Sequence, residues 1–118
     1  MTIQYFADKH RVHTRIDPDD QTKIIPGKVG HIYEYDEDVF GVMIMPKRPR
    51  RSYWGFTKRA LLAQGFSVVQ DGDGEGAATF DPRNSAQVKA AISAAGIKHK
   101  RNLSPEAKQR LTERLPPR

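Results

Sequence analysis

The alternation of apolar and polar positions is clearest between residues 28 and 45, where two apolar runs flank an acidic break. The first run, 28–35, is rich in aromatic and β-branched residues, and the second, 39–45, is apolar at nearly every position. Together with the break at 36–38, this pattern predicts a β-hairpin. Because both faces of the second strand are apolar, that strand is predicted to lie in the centre of a sheet.

The next segment has the periodicity of a helix. A helix is predicted from Ser52 to Gln64, because Trp54, Leu61 and Leu62 fall on one side of it. Gly65 is suited to ending that helix. Trp54 is therefore interpreted as a core residue.

The same order of elements then follows once more. Residues 66–70 and 77–80 predict two strands, joined by the acidic, glycine-rich loop 71–76, which is interpreted as a hairpin turn. A second helix is predicted to start at Asn84 or Ser85, both good N-cap residues. Its apolar positions recur at helical spacing, and they are Val88, Ala91, Ile92 and Ala95.

Both ends of the chain carry weaker patterns. In the first 26 residues, 3–6 and 11–16 predict short strands and 17–20 predicts a turn, whereas 24–27 is interpreted as a further turn. At the other end, a helix is predicted to start at Ser104-Pro105-Glu106.

These elements predict an α+β fold with an antiparallel sheet of about four strands and two packed helices, in the order ββαββα. A basic C-terminal helix follows, and its thin apolar line contains Leu111 and Leu115. The predicted organisation is an irregular N-terminal segment (1–26), the α+β core (27–96) and a basic tail (97–118).

Composition narrows the class of protein. A chain of 118 residues is suited to one domain, and the absence of cysteine excludes disulfides and thiolate chemistry. The start of the chain does not resemble a signal peptide, and the longest apolar run, Val42–Met45, is too short to span a bilayer. We therefore expect a soluble, cytoplasmic protein without a membrane partner.

The net charge of +6 is distributed unevenly. Residues 46–59 contain six Lys or Arg and no Asp or Glu, and residues 96–118 carry a net charge of +5. The remaining parts, 1–45 and 60–95, are both net acidic. Such segregation predicts contact with a polyanion, because a positively charged segment raises the local concentration of anionic ligands.

The sequence therefore predicts a small, non-enzymatic nucleic-acid-binding protein that contacts backbone phosphates, with neither metal nor cofactor. Arginine and lysine suit phosphate oxygens, and a tyrosine can stack on an exposed base. The predicted nucleic-acid-binding residues are Lys47, Arg48, Arg50, Arg51, Tyr53, Lys58, Arg59, Lys98, Lys100 and Arg101.

Two other functions fit parts of the sequence. The same cations attract an acidic protein surface, so a protein-interaction module, an inhibitor or adaptor that also uses Leu111 and Leu115, is an alternative. A metal-dependent nuclease is a weaker hypothesis, since no spacing of the residues fixes a site. Such a nuclease would use one of the histidines His10, His13 or His31 with Glu34 or Asp36.

Overall fold

The computed structural model describes residues 1–47 and 51–100, except for the side chains of Arg51 and Ser52. Arg51 itself begins a helix. The sequence predictions that lie outside the described residues are those for Arg48, Arg50, Arg101 and the C-terminal helix with Leu111 and Leu115.

The described residues form six strands and three helices. In chain order these elements are α1 (Ile3–His10), β1 (Arg15–Ile16), β2 (Lys23–Pro26), β3 (Gly30–Asp36), β4 (Val39–Ile44), α2 (Arg51–Ala63), β5 (Ser67–Asp71), β6 (Gly76–Phe80) and α3 (Ser85–Ala95). The strands make one sheet in the order β1-β2-β3-β4-β6-β5, and every neighbouring pair is antiparallel. The α+β class is confirmed, whereas the expected four strands and two helices are too few.

The extra helix replaces a strand that the sequence predicted at residues 3–6. Ile3, Phe6 and Ala7 are buried, and their spacing of three and four residues fits one face of a helix. Thr2 caps the helix by accepting a hydrogen bond from the backbone N–H of Tyr5. The strand prediction is wrong because burial of this one face decides the structure over local β-propensity.

The edge of the sheet also differs from the prediction. Only Arg15–Ile16 of the expected strand 11–16 is a strand, because Arg11 ends α1 in the left-handed region with φ of 56°. Residues 24–27 were interpreted as a turn, but residues 24–26 belong to β2, which is Lys23–Pro26. Pairing with β1 and β3 on its two sides stabilises β2 in a way that short-range patterns do not reveal.

The two predicted hairpins are present, and β4 lies between β3 and β6 as expected for a central strand. All three helices contribute to one buried cluster with one face of the sheet. Trp54 is only 2% exposed, which confirms it as a core residue, whereas Leu62 is 50% exposed and was wrongly assigned to the buried side.

The opposite face of the sheet carries an aromatic row along β3. His31, Tyr33 and Tyr35 alternate along that strand, with neighbouring ring centroids 5.8 and 6.5 Å apart. Tyr35 is exposed and the other two rings are half-buried. In residues 1–47 and 51–100, no helix is long and apolar enough to cross a lipid bilayer.

Candidate nucleic-acid interface

Backbone hydrogen bonds bring three separate loops together at one end of the sheet, where β2 ends and β3 begins. The Lys28 N–H donates to the Gly96 carbonyl and the Val29 N–H to the Ala95 carbonyl, both at 3.1 Å. On the other side, the Met45 N–H donates to the Val29 carbonyl at 2.6 Å. The β2–β3 turn therefore lies between the end of α3 and the residues that directly follow β4.

The segment after α3 joins the same end of the molecule. Val12 and His99 form an isolated antiparallel bridge, and the Lys100 N–H donates to the Arg11 carbonyl at 2.6 Å. The His99 Nδ1 lies 2.9 Å from the His10 carbonyl oxygen, to which it donates. Residues 97–100 are thereby held against the end of α1.

These contacts bring together chain segments that carry six exposed cationic side chains. We call this group the basic end, and its members are Lys9, Arg11, Lys28, Lys47, Lys98 and Lys100. Within the part of the chain that the structure describes, none of the six forms an ion pair. Their charges are thus not neutralised by carboxylates among the described residues.

Three members of the basic end were predicted from the sequence, namely Lys47, Lys98 and Lys100, and three were missed. Lys9, Arg11 and Lys28 belong to a net acidic part of the sequence, where single cations give no signal. Only the pairing of residues 11–12 with 99–100, and of 28–29 with 95–96, reveals that they lie beside the predicted ones.

Lys58 is held in a different environment from the one expected of a phosphate contact. Its Nζ lies 3.0 Å from Oδ2 of Asp71, whose Oδ1 accepts a hydrogen bond from the Trp54 indole at 2.8 Å. The indole and then Lys58 lower the pKa of the Asp71 carboxyl. The charge of Lys58 is accordingly offset locally, while Arg59 on the same helix is exposed.

Tyr53 does not occupy the exposed position that the sequence predicted. Its hydroxyl donates to the Ala94 carbonyl at 2.8 Å, and its ring packs against the core between α2 and α3. The exposed aromatic residue of α2 is Phe56, which is 73% exposed. The sequence contained that signal, because Phe56 is two positions after the buried Trp54 and so faces away from it.

A cavity of about 420 Å³ opens beside the basic end, and we call it the α3 cavity. Its lining residues are His10, Ser85, Val88, Lys89, Ile92, Ser93, Ile97 and His99. Burial first, and then the charges of Lys9 and His99, lower the pKa of His10. These effects favour the neutral form of the imidazole.

Of the residues considered for a nuclease, His31 and Glu34 line one cavity of about 390 Å³, whereas His10 lies elsewhere. His31 lies on the open face of the sheet beside Tyr33, whereas the His10 ring packs on Phe6 at a centroid distance of 4.5 Å on the helix-covered side. Glu34 accepts a hydrogen bond from the Ile3 N–H at 2.6 Å. This arrangement separates the two histidines by the thickness of the sheet.

The opposite end of the sheet is acidic. The β3–β4 hairpin tip, residues 36–38, carries three carboxylates, and Asp38 is paired with the N-terminal ammonium at 3.1 Å and with Arg83 at 3.3 Å. A hydrogen bond from the ammonium and the charge of Arg83 lower the pKa of Asp38.

Comparison with protein-family models, curated proteins and solved structures found no match.

Proposed function

We propose that this protein binds nucleic acid non-enzymatically, through contacts between the basic end and backbone phosphates. The observation that carries the proposal is the grouping of six exposed cations, without an ion pair among the described residues, around the turn at Lys28. Lysine and arginine side chains at such a surface release condensed counterions from nucleic acid when they bind, which favours association.

Acidic residues near β5 restrict the contact to one side. Asp71 ends β5, Asp73 and Glu75 follow in the β5–β6 loop, and β5 is the far edge strand of the sheet. Phosphates are repelled there, so the contact is expected at the β2–β3 turn and the segment 97–100. Arg48 and Arg50, which precede α2 in the sequence, and Arg51 and Arg59 in α2 remain predicted contacts.

A salt titration tests the proposal. A labelled oligonucleotide, as single strand and as duplex, is titrated with the protein, and the dissociation constant is measured by fluorescence anisotropy at several salt concentrations. If the protein neutralises about six phosphates, a plot of the logarithm of the association constant against the logarithm of the salt concentration is expected to have a slope of about −5. Absence of binding at low salt would contradict the proposal.

Charge-removing variants locate the contact. Lys98→Gln combined with Lys100→Gln is expected to reduce the slope by about 2, because two phosphate contacts are lost. The matched control is Arg15→Gln combined with Lys23→Gln, which removes the same charge from exposed positions in β1 and β2. Equal effects of the two double variants would mean that net charge, and not the basic end, determines affinity.

One observation favours a protein partner as the second candidate function. Phe56 is exposed on α2 with Arg59 one turn further along, and an aromatic residue beside an arginine is typical of protein interfaces. A pull-down with the intact protein, before and after nuclease treatment, separates the two functions. A protein that is still captured after nuclease treatment, but is not captured by the Phe56→Ser variant, would favour the protein-interaction module.

A further inference from the structure

The α3 cavity combines apolar walls with polar and cationic groups. Val88, Ile92 and Ile97 supply the apolar surface, while Ser85, Ser93 and Lys89 supply hydroxyl and ammonium donors. Its volume of about 420 Å³ falls in the range of small-molecule sites, about 300–1,000 Å³. Such a lining fits a flat, heteroaromatic ligand that is attached to an anionic group.

The cavity also adjoins one part of the basic end. His10 lines the cavity, and the charge of Lys9 acts on its ring, whereas Lys98 lines a separate cavity together with Lys28. A phosphate held by Lys9, or by Lys89 in the cavity lining, therefore lies next to the cavity. We infer that the α3 cavity receives an unstacked base of single-stranded nucleic acid, an inference that rests on the proposed function of the basic end.

The serine hydroxyls of the cavity lining support a ligand with hydrogen-bonding edges. Ser85 and Ser93 are exposed at the cavity, whereas the Nε2 atom of His10, which lacks a hydrogen-bond partner among the described residues, is buried out of reach of a ligand there. A hydroxyl both donates and accepts, so it pairs with either kind of polar group on a ligand. The edges of a nucleobase offer both donors and acceptors.

The geometry favours a single strand over a duplex. Bases in a duplex are stacked and paired, and extracting one into a pocket costs unstacking and unpairing energy, whereas an exposed base in a single strand requires much less. His99 is exposed at the cavity, and histidine rings are among the side chains on which unstacked bases stack. The inference therefore specifies single strands as the preferred ligand.

A cavity-blocking variant tests this preference. Ser93 lies at the cavity and is exposed, so Ser93→Leu fills space without changing charge, and Ser67→Leu on β5 is the matched control. Affinities for one sequence as single strand and as blunt duplex are measured at fixed salt. Ser93→Leu is expected to weaken single-strand binding by about tenfold and to leave duplex binding unchanged, while Ser67→Leu changes neither.

A second pair of variants separates stacking from folding. His99→Ala is expected to weaken single-strand binding by about tenfold, and His99→Phe is expected to retain it, because only the phenyl ring replaces the stacking surface. Both variants lack the hydrogen bond to the His10 carbonyl, so a purely structural effect would weaken them equally. That outcome would overturn the inference.

The remaining outcomes are also decisive. Salt-dependent binding with equal affinity for single strand and duplex, unaffected by Ser93→Leu, retains the proposed function and overturns the base site. If the wild-type protein binds neither single strand nor duplex, both the proposed function and the base site are overturned. Titration of adenosine monophosphate or of dodecanoate, followed through the His10 and His99 ring signals by NMR, identifies the ligand class: shifts with dodecanoate alone would make the cavity a site for anionic amphiphiles.

Discussion

The two ends of the sheet handle charge in opposite ways. At the hairpin tip, Asp38 forms ion pairs with the N-terminal ammonium and with Arg83, so part of the acidic charge is neutralised within the protein. At the basic end, six cations lie around Lys28 without an ion pair among the described residues. Charges that are paired internally contribute to folding, whereas exposed unpaired cations are available to an external anion.

The ends also differ in how they are built. The tip is one continuous hairpin, in which Asp36 pairs with Val39 and Asp38 adopts a φ of 55°. The basic end is assembled from parts that meet only in the folded protein. We therefore expect binding at the basic end to depend on tertiary packing, while the tip tolerates substitution.

The largest expected effect comes from Gly27→Ala. A Cβ at this position would overlap the backbone carbonyl of Ala95, where the β2–β3 turn meets the end of α3. The variant is expected to lose about 1–3 kcal/mol of unfolding free energy, measured by urea denaturation, and to bind nucleic acid more weakly. Both changes are expected because the added methyl group would push the Lys28 turn away from the end of α3 and from residues 97–100.

A second glycine provides the control. A Cβ at Gly55 in α2 meets nothing within 4 Å, so Gly55→Ala is expected to stabilise the helix by about 0.5–1 kcal/mol without changing affinity. If Gly27→Ala loses stability and retains full affinity, the basic end does not require this junction.

Intermediate effects are expected from pH. Burial is the main cause that lowers the pKa values of His10 and His31 in the folded protein. Below the ordinary histidine value of about 6.5, the unfolded chain therefore binds more protons, and the free energy of unfolding is expected to fall as pH decreases from about 7.5 to about 5. Above about 7.5 both rings are neutral in both states and contribute no slope.

Substitution of both rings tests this assignment. The double variant His10→Gln and His31→Gln is expected to flatten the decrease in the urea midpoint over that pH range, and His13→Gln, at an exposed position, is not. An unchanged slope in the double variant would assign the pH dependence to other groups.

The smallest effect is expected at the acidic tip. Asp38→Asn removes the charge that pairs with the N-terminus and Arg83, and asparagine tolerates the left-handed backbone. Because exposed ion pairs contribute little, a slight decrease of the urea midpoint at pH 7 is expected. Because the pKa of Asp38 is lowered in the folded protein, its ion pairs stabilise the fold until the pH falls through that lowered pKa. Below it, the carboxyl is protonated, and the urea midpoints of Asp38→Asn and wild type are expected to be equal.

Nucleic-acid affinity separates the two ends in the same variant. At physiological salt, charges are screened over about 8 Å, so Asp38→Asn is expected to leave the dissociation constant unchanged. An increase in affinity similar in size to the loss in the Lys98 and Lys100 variant would mean that the whole-molecule field dominates.

Local patterns in the sequence predicted the elements whose signals are contained in short stretches. Both hairpins, α2 and α3 follow from strand alternation, helical periodicity and the Asn84 cap. Two of the misses share a cause, because they depend on residues that are distant in the sequence. Strand β2 depends on strands on its two sides, and the position of Lys28 beside Lys98 depends on backbone hydrogen bonds between distant residues. Phe56 was missed although its position opposite Trp54 was readable from the sequence.

The strand order has a consequence for how the chain folds. Because β5 pairs only with β6 and forms a local hairpin with it, the hairpin joins the sheet as a unit when β6 pairs with β4. Until the hairpin docks, β4 presents an unpaired edge. We therefore expect docking of the β5–β6 hairpin to be a late folding step, and a ribosome-bound chain that ends before Gly76 to be prone to aggregation through the exposed edge of β4.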